Sequence, residues 1–329
     1  LMDEAVISYE KAITSNPEHT EAHNNLGVTL QKLGLMDEAV KSYEKAIAFK
    51  PDYAEGHNNL ANVLLELGQL ETAIKSYEKV LAIKPDYAEA HNNLGATLHE
   101  LGQLDMATKS YEKALAIKPD YAEAHNNLGA TLQELGQLDM ATKSYEKALA
   151  IKPDYAEAHN NLGNILRELS QLDMATKSYE KALAIKPDYA VAHYNLGIVF
   201  KEFGQPDAAV KSFEKALAIQ PNYVKAHHSL SILKKFTEND SQITLMQSLL
   251  SNSNLSQSDR IRLCFALAKA NENLGNQDEL FKFLHKGNRL RKEELNYSID
   301  KSKKLFSFIR ELFSTLPTVI AKSLSFKPS

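Results

Sequence analysis

The side chains of this 329-residue chain best suited to holding another molecule are carboxamides that return at a fixed interval. Asn25, Asn59, Asn93, Asn127, Asn161 and Asn195 lie 34 residues apart, and Asn24, Asn58, Asn92, Asn126 and Asn160 precede the first five. A carboxamide carries both donor and acceptor, so a ladder of them can bracket successive peptide units of a ligand without reading its side chains. The same groups can instead bond neighbouring helices and fix their stacking. Glu55, Glu66, Glu89, Glu100, Glu123, Glu134, Glu157 and Glu168 flank the ladder. They favour a ligand that carries Lys or Arg, through complementarity that acts mainly on rate and selectivity.

Histidine recurs with the same interval at His23, His57, His91, His125, His159, His193 and His227. A metal ion needs ligands that converge on one point. One His per repeat spreads them out, so these are assigned to the core or to helix packing. His19, His99, His228 and His285 form no cluster. The run His285–Lys292, with Lys301, Lys303 and Lys304, could touch an anionic nucleotide or nucleic acid. It has no Gly-rich phosphate loop, and Glu293, Glu294 and Asp300 interrupt it, which describes a solvated helix face. Neither a Ser/His/Asp nor a Cys/His arrangement can be assembled, and the carboxylates occupy repeated slots rather than a unique pair. The chain as given is therefore expected to lack a catalytic centre, a metal site and a cofactor, and to bind protein rather than nucleic acid or membrane.

The elements that position these residues come from the repeat itself. Pro17, Pro51, Pro85, Pro119, Pro153, Pro187 and Pro221 keep phase through six intervals. Within one unit, His57, Leu60, Ala61 and Leu64 make the apolar stripe of a helix, and Ala73, Tyr77, Val80 and Leu81 make a second. Gly68 separates the two where a positive φ is useful, and Pro85 ends the second because it lacks an N–H. Asp86 and Glu89 have capping-box spacing, as do Asp52/Glu55, Asp120/Glu123 and Asp154/Glu157. Glu55, Asn59, Asn62 and Glu66 form a second face of the first helix, off its apolar stripe. Small residues at Gly27, Ala61, Gly95, Gly129, Gly163 and Gly197 let the helices approach, and Tyr77 and its equivalents fill the gap.

A 34-residue helix–turn–helix unit with these Gly/Ala, Tyr and Pro slots resembles the tetratricopeptide repeat (TPR) family over about Leu1 to Lys235. His stands where that family often has an aromatic residue at the start of its first helix. The resemblance implies an all-α, right-handed superhelix, an α-solenoid of stacked pairs with a degenerate helical extension at its C-terminal end. The array also resembles the superhelix of nucleocytoplasmic O-linked N-acetylglucosamine transferases, in which asparagines of this slot grip the backbone of an extended chain. That resemblance implies sequence-tolerant peptide binding in the inner groove by the Asn residues named above.

Residues 1–19 read as half a unit, 20–223 as six complete units, 224–237 as a partial closing unit, 238–316 as a degenerate helical linker and 317–329 as an extended tail. Ala5, Tyr9 and Ala12 match Ala39, Tyr43 and Ala46, so the first helix of the opening unit is expected upstream and the chain is expected to be a fragment. Residues 1–223 hold 21 Lys and Arg against 32 Asp and Glu, net −11, while residues 224–329 hold 17 against 10, net +7. The split implies different partners for the two parts or simple solvation. Cys264 is the only cysteine, which excludes an intrachain disulfide and fits a reducing, cytoplasmic compartment. No run of 18 apolar residues is present.

Past Pro221 the pattern decays. Ile243, Met246 and Leu250 keep a helical stripe, Ser256/Asp259 has capping-box spacing, and residues 259–296 read as two more helices. Asp300 to Leu316 reads as a last helix whose Leu305, Phe306, Phe308, Ile309 and Phe313 need cover from a further domain. Leu255 to Asp300 resembles the segment that joins repeats to catalysis in bacterial-type TPR sulfotransferases. That resemblance implies a parent enzyme using 3′-phosphoadenylyl sulfate, with this chain as its substrate-recruiting front part. The alternatives are an O-linked glycosyltransferase parent and a stand-alone scaffold.

Overall fold

The structure, a computed structural model, describes residues 2–296 and 303–311. Among them every regular element is a helix. The chain divides into two compact units, Leu1–Pro187 and Asp188–Ser329.

The first unit contains α1 (Met2–Ser15), α2 (Thr20–Lys32), α3 (Met36–Phe49), α4 (Ala54–Glu66), α5 (Leu70–Ile83) and α6 (Ala88–Glu100). It continues with α7 (Leu104–Ile117), α8 (Ala122–Glu134), α9 (Leu138–Ile151), α10 (Ala156–Glu168) and α11 (Leu172–Ile185). Each even-numbered helix packs on both of its sequence neighbours, and α2, α4, α6, α8 and α10 also touch one after another. The first helices of the repeats thus share one continuous face. The all-α stack of helix–turn–helix pairs is the architecture that the spacing implies.

Packing explains the alternation of sizes. Tyr43, Tyr145 and Tyr179 are fully buried, each lying against the glycine of the preceding helix, and Tyr77 is fully buried in one cluster with Ala61. A Cβ built on Gly129 would stand 2.8 Å from the Tyr145 ring, closer than contact allows. Between helices, Gly68 adopts φ 71°. Its N–H bonds Leu65 O at 2.9 Å while Gln69 N–H bonds Leu64 O at 2.8 Å, a Schellman closure of α4. The corresponding turn after α10 places Ser170 at φ 59°, the same left-handed conformation without glycine's freedom.

The expected capping boxes do not form. The N-caps of α4, α6, α8 and α10 are Tyr53, Tyr87, Tyr121 and Tyr155, and none has a side-chain cap bond. Asp52, Asp86, Asp120 and Asp154 sit one residue too early, which puts their carboxylates out of register with the first free N–H groups. The helix starts are held by the histidines instead: Nε2 of His91 donates to Pro85 O at 3.0 Å and that of His125 to Pro119 O at 3.1 Å. His23, His57 and His159 make the same bond to Pro17, Pro51 and Pro153.

The second unit contains α12 (Ala190–Glu202), α13 (Pro206–Ile219), α14 (Val224–Leu233), α15 (Ser241–Ser251), α16 (Gln257–Leu274) and α17 (Gln277–Glu294), followed by a helical stretch over residues 303–311. Its larger core joins Phe236, Met246, Leu263, Leu267 and Phe283 around buried Cys264. The Ser256 hydroxyl caps α16 by accepting from Asp259 N–H at 3.1 Å. Leu305, Phe306 and Phe308 are exposed. Of the expected last helix, Leu312, Phe313, Leu316 and the tail from Pro317 lie outside the described residues.

Candidate functional site

The asparagines come together on the shared face of the first helices, but most of them bond one another. In α10 and α8, Asn160 Nδ2 donates to Asn161 Oδ1 at 3.3 Å and Asn161 Nδ2 to Asn126 Oδ1 at 3.1 Å. Asn126 Nδ2 then donates to Asn127 Oδ1 at 3.4 Å and Asn127 Nδ2 to Asn92 Oδ1 at 3.2 Å. Asn92 Nδ2 donates to Asn93 Oδ1 at 3.2 Å, and Asn93 Nδ2 to Asn62 Oδ1 at 3.2 Å. The result is a head-to-tail chain of amides through four consecutive repeats.

Placement divides the candidates into two sets. Asn24, Asn58, Asn92, Asn126 and Asn160 are buried. Asn92, Asn126 and Asn160 carry the chain between helices, and Asn24 accepts from Asn59. Asn59, Asn93, Asn127, Asn161 and Asn195 are half-buried, and Asn25 is exposed. Asn93, Asn127 and Asn161 each use one N–H and one carbonyl lone pair in the chain. A carboxamide has two of each, so Asn127 and Asn161 each keep one donor and one acceptor for a ligand, while Asn93 also reaches the Tyr77 hydroxyl. Asn59 donates to Asn24 Oδ1 at 3.0 Å, which puts it in the same register. Asn195, in α12, follows Tyr194 rather than a second Asn, so no pair exists there.

The flanking carboxylates are partly engaged. Glu66 accepts from Gln31 Nε2 at 2.8 Å, and Glu168 from Gln133 Nε2 at 3.5 Å. His99 Nε2 stands 3.2 Å from Glu134 Oε1, close enough to pair if protonated but outside hydrogen-bond geometry. Lys152 lies 3.9 Å from Glu123, and Lys186 lies 3.5 Å from Glu157. Such exposed pairs contribute little stability.

Lysine and tyrosine of the Lys-Pro-Asp-Tyr connectors add a feature that spacing alone did not reveal. Lys84, Lys118 and Lys152 rest over the rings of Tyr87, Tyr121 and Tyr155 at 4.8, 4.6 and 4.7 Å. Their recurring three-residue separation was the available signal. The phenols on this face respond to burial first and to the carboxylates second. Burial pushes the Tyr53 hydroxyl up to about 12, helped by Glu55. Burial raises Tyr87 and Tyr121 as well, with Glu89 contributing to both.

The histidines are structural. Burial lowers the pKa of His91, His125 and His159, against the opposing bond to proline. No group of three His, Cys, Asp or Glu among the described residues could hold a metal ion. Two hollows of about 550 and 640 Å³ lie between second helices, the former bounded by Leu149, Pro153, His159 and Ile185 and the latter by Leu115, Pro119, His125 and Ile151. The basic residues of α17 pair locally, Lys282 with Glu279 at 2.7 Å and Arg291 with Glu294. Among the described residues no helix is long and apolar enough to cross a membrane.

Comparison with known proteins places the repeat. Models described as TPR repeat match residues 36–68, 61–102 and 96–136. Models described as tetratricopeptide repeat match 120–188, 154–222 and 8–41. Together they run without a gap over residues 8–222, more than half of the chain, which belongs to the tetratricopeptide repeat family. No curated protein matches it. Among solved structures, the APC/C hetero-tetramer Cut9-Hcn1 is similar with a TM-score of 0.62 and 19% identity, over 70% of this chain and 46% of that one. The chain thus spans less than half the length of that relative. The Pseudomonas aeruginosa pilF structure gives a TM-score of 0.56 at 20% identity, over 63% of this chain and 94% of that one. YrrB, described as a TPR protein with an unusual peptide-binding site, gives 0.47 at 26%, over 58% and 98%. The first two likenesses concern the fold.

Proposed function

We propose that this chain is a protein-binding scaffold whose first helices in the Leu1–Pro187 unit hold an extended peptide by its main chain. The supporting observation is the amide chain from Asn160 to Asn62. It fixes the orientation of Asn93, Asn127 and Asn161 and leaves Asn127 and Asn161 each with one donor and one acceptor. Preorganised amides lose little side-chain entropy on binding, which is what a sequence-tolerant site needs. Glu55, Glu66, Glu89 and Glu100 bias the ligand towards Lys and Arg.

The test is a peptide selected by this chain from a display library, measured against N93A/N127A/N161A. Binding is expected to weaken by at least about tenfold, the equivalent of one or two good hydrogen bonds. Unchanged affinity with intact helicity by circular dichroism would sink the ladder as a binding device.

The resemblance of residues 255–300 to the linker of TPR sulfotransferases supports a second proposal. The array then recruits a protein substrate for a transferase that uses 3′-phosphoadenylyl sulfate, with that domain covering the exposed Leu305 and Phe308. The reading frame downstream of Ser329 decides it. A phosphosulfate loop favours the sulfotransferase, a nucleotide-sugar domain the O-linked glycosyltransferase alternative, and a stop codon the stand-alone scaffold.

A further inference from the structure

The amide chain has one irregularity. Asn59, Asn127 and Asn161 each donate to the first Asn of the preceding pair, namely Asn24, Asn92 and Asn126, at 3.0 to 3.2 Å. In that register the target of Asn93 is Asn58. Asn93 donates instead to Asn62 Oδ1, one helical turn further along α4. The two carbonyls end up unequally served. Asn62 Oδ1 takes a second bond from Tyr77 Oη at 2.6 Å, while Asn58 Oδ1, in a residue only 8% exposed, has no partner. The next two repeats carry Ala96 and Ala130 where α4 has Asn62, so nothing diverts Asn127 or Asn161.

We propose that Asn58, Asn62 and Asn93 form a subsite for a cationic side chain, Lys or Arg, of the peptide held by the ladder, a reading that rests on the function proposed above. An ammonium or guanidinium group offers only donors, and a carboxamide oxygen in a negative field is a fitting acceptor. Burial is the main reason that the Tyr43, Tyr77 and Tyr87 hydroxyls are raised, and the carboxylates add to it: Glu66 and Glu55 at Tyr43, Glu66 at Tyr77, Glu89 and Glu55 at Tyr87. The cation donates to Asn62 Oδ1 and displaces Asn93 Nδ2. Asn93 then turns to Asn58 Oδ1, in the register of its neighbours, and satisfies the buried acceptor. One ligand bond thereby fills two carbonyls, one directly and one through Asn93. The cation displaces Asn93 and not Tyr77, so the phenol keeps its bond to Asn62 Oδ1.

N62A is the decisive variant, because it gives this repeat the alanine of its two successors. Two readouts are used on the full 329-residue chain. The first is the side-chain amide spectrum, assigned by single Asn→Asp changes. In N62A the Asn58 and Asn93 amide signals are expected to move, as Asn93 pairs with Asn58. If both stay in place, the displacement is overturned whatever the binding data show. The second is calorimetric titration with a peptide of alternating Lys and Ser and with its Nε-acetylated counterpart. N62A is expected to weaken the Lys peptide about tenfold, the loss of one charge-assisted bond, and acetylation is expected to erase the difference between N62A and wild type. If N127A weakens the Lys peptide and N62A does not, the groove reading stands and the subsite is wrong. If neither variant changes binding, the groove reading fails and takes the subsite with it.

Discussion

The two units of this chain reach stability by different means. Unit Leu1–Pro187 repeats one set of contacts: a Tyr against a small residue, a His to a Pro carbonyl, an Asn to an Asn. Unit Asp188–Ser329 keeps parts of that set, Phe213 against Gly197 and His227 to Pro221, and adds contacts that occur once. The guanidinium of Arg260 donates to the carbonyls of Leu250, Asn252, Ser253 and Leu255, gathering the connector between α15 and α16. His227 is held on both ring nitrogens, donating from Nε2 to Pro221 O at 2.8 Å while Nδ1 meets Gln242 Nε2 at 3.1 Å. Asn273 Oδ1 accepts from Phe236 N–H at 3.2 Å. A repeated contact tolerates loss at one place, since its neighbours remain and couple only locally. A contact that occurs once has no substitute.

Four experiments would break or sharpen that contrast. Tyr111→Ala and Tyr145→Ala should each cost about 3–5 kcal/mol, the cost of truncating a buried aromatic, and agree with each other within about 1 kcal/mol. Urea titration followed by region-resolved hydrogen exchange checks this, and a large inequality would show that equivalent contacts in the first unit do unequal work. Arg260→Ala should cost about 2–3 kcal/mol, because four carbonyls lose a charged donor together. The same exchange data should show opening confined to the second unit, and opening throughout the first would contradict the contrast.

Acid comes next in size. Burial holds the pKa of His91, His125, His159 and His227 below the ordinary 6.5. A depressed folded pKa means that the unfolded chain takes up protons first. Stability is therefore complete above pH 6.5 and falls as pH drops below it. His227 should contribute most distinctly, since a protonated Nδ1 would face the Gln242 donor. Thermal melts between pH 7.5 and pH 5 (about that range suffices) should drift less in His227→Gln than in the wild type. The smallest effect is a gain. Ser170→Gly should stabilise by about 1 kcal/mol, since glycine adopts the left-handed turn without strain. No change in melting temperature would show that the Ser170 turn relaxes in solution.

Much of the fold was legible because its determinants are local. Pro85 and Gly68 punctuate helices by their own backbone chemistry, and the Gly129–Tyr145 contact follows from size at fixed spacing. The Ser256 cap was legible for the same reason. Asp86 was misread because cap spacing does not say where the helix begins, and a shift of one residue moves the carboxylate off the free N–H groups. The candidate site was legible only as residue types on one face. Whether Asn93 donates to Asn58 or Asn62 depends on distances between helices, which no spacing rule supplies. Arg260 gave no signal, because its partners are main-chain carbonyls of a polar connector.

The near-identity of the repeats from Tyr87 to Ile185 has a consequence for anything bound along them. A ligand gripped by its main chain meets the same amides after each step of one repeat, so the energy of the complex is nearly periodic along the face. Such a surface works as a track, on which a bound chain can shift by a whole unit at little cost in equilibrium energy. Asn62 in the repeat before this stretch and Asn164 in its last repeat stand where the two between carry Ala96 and Ala130, so they interrupt the period and supply stops. Where a partner comes to rest would then be decided by the few positions at which the repeats disagree.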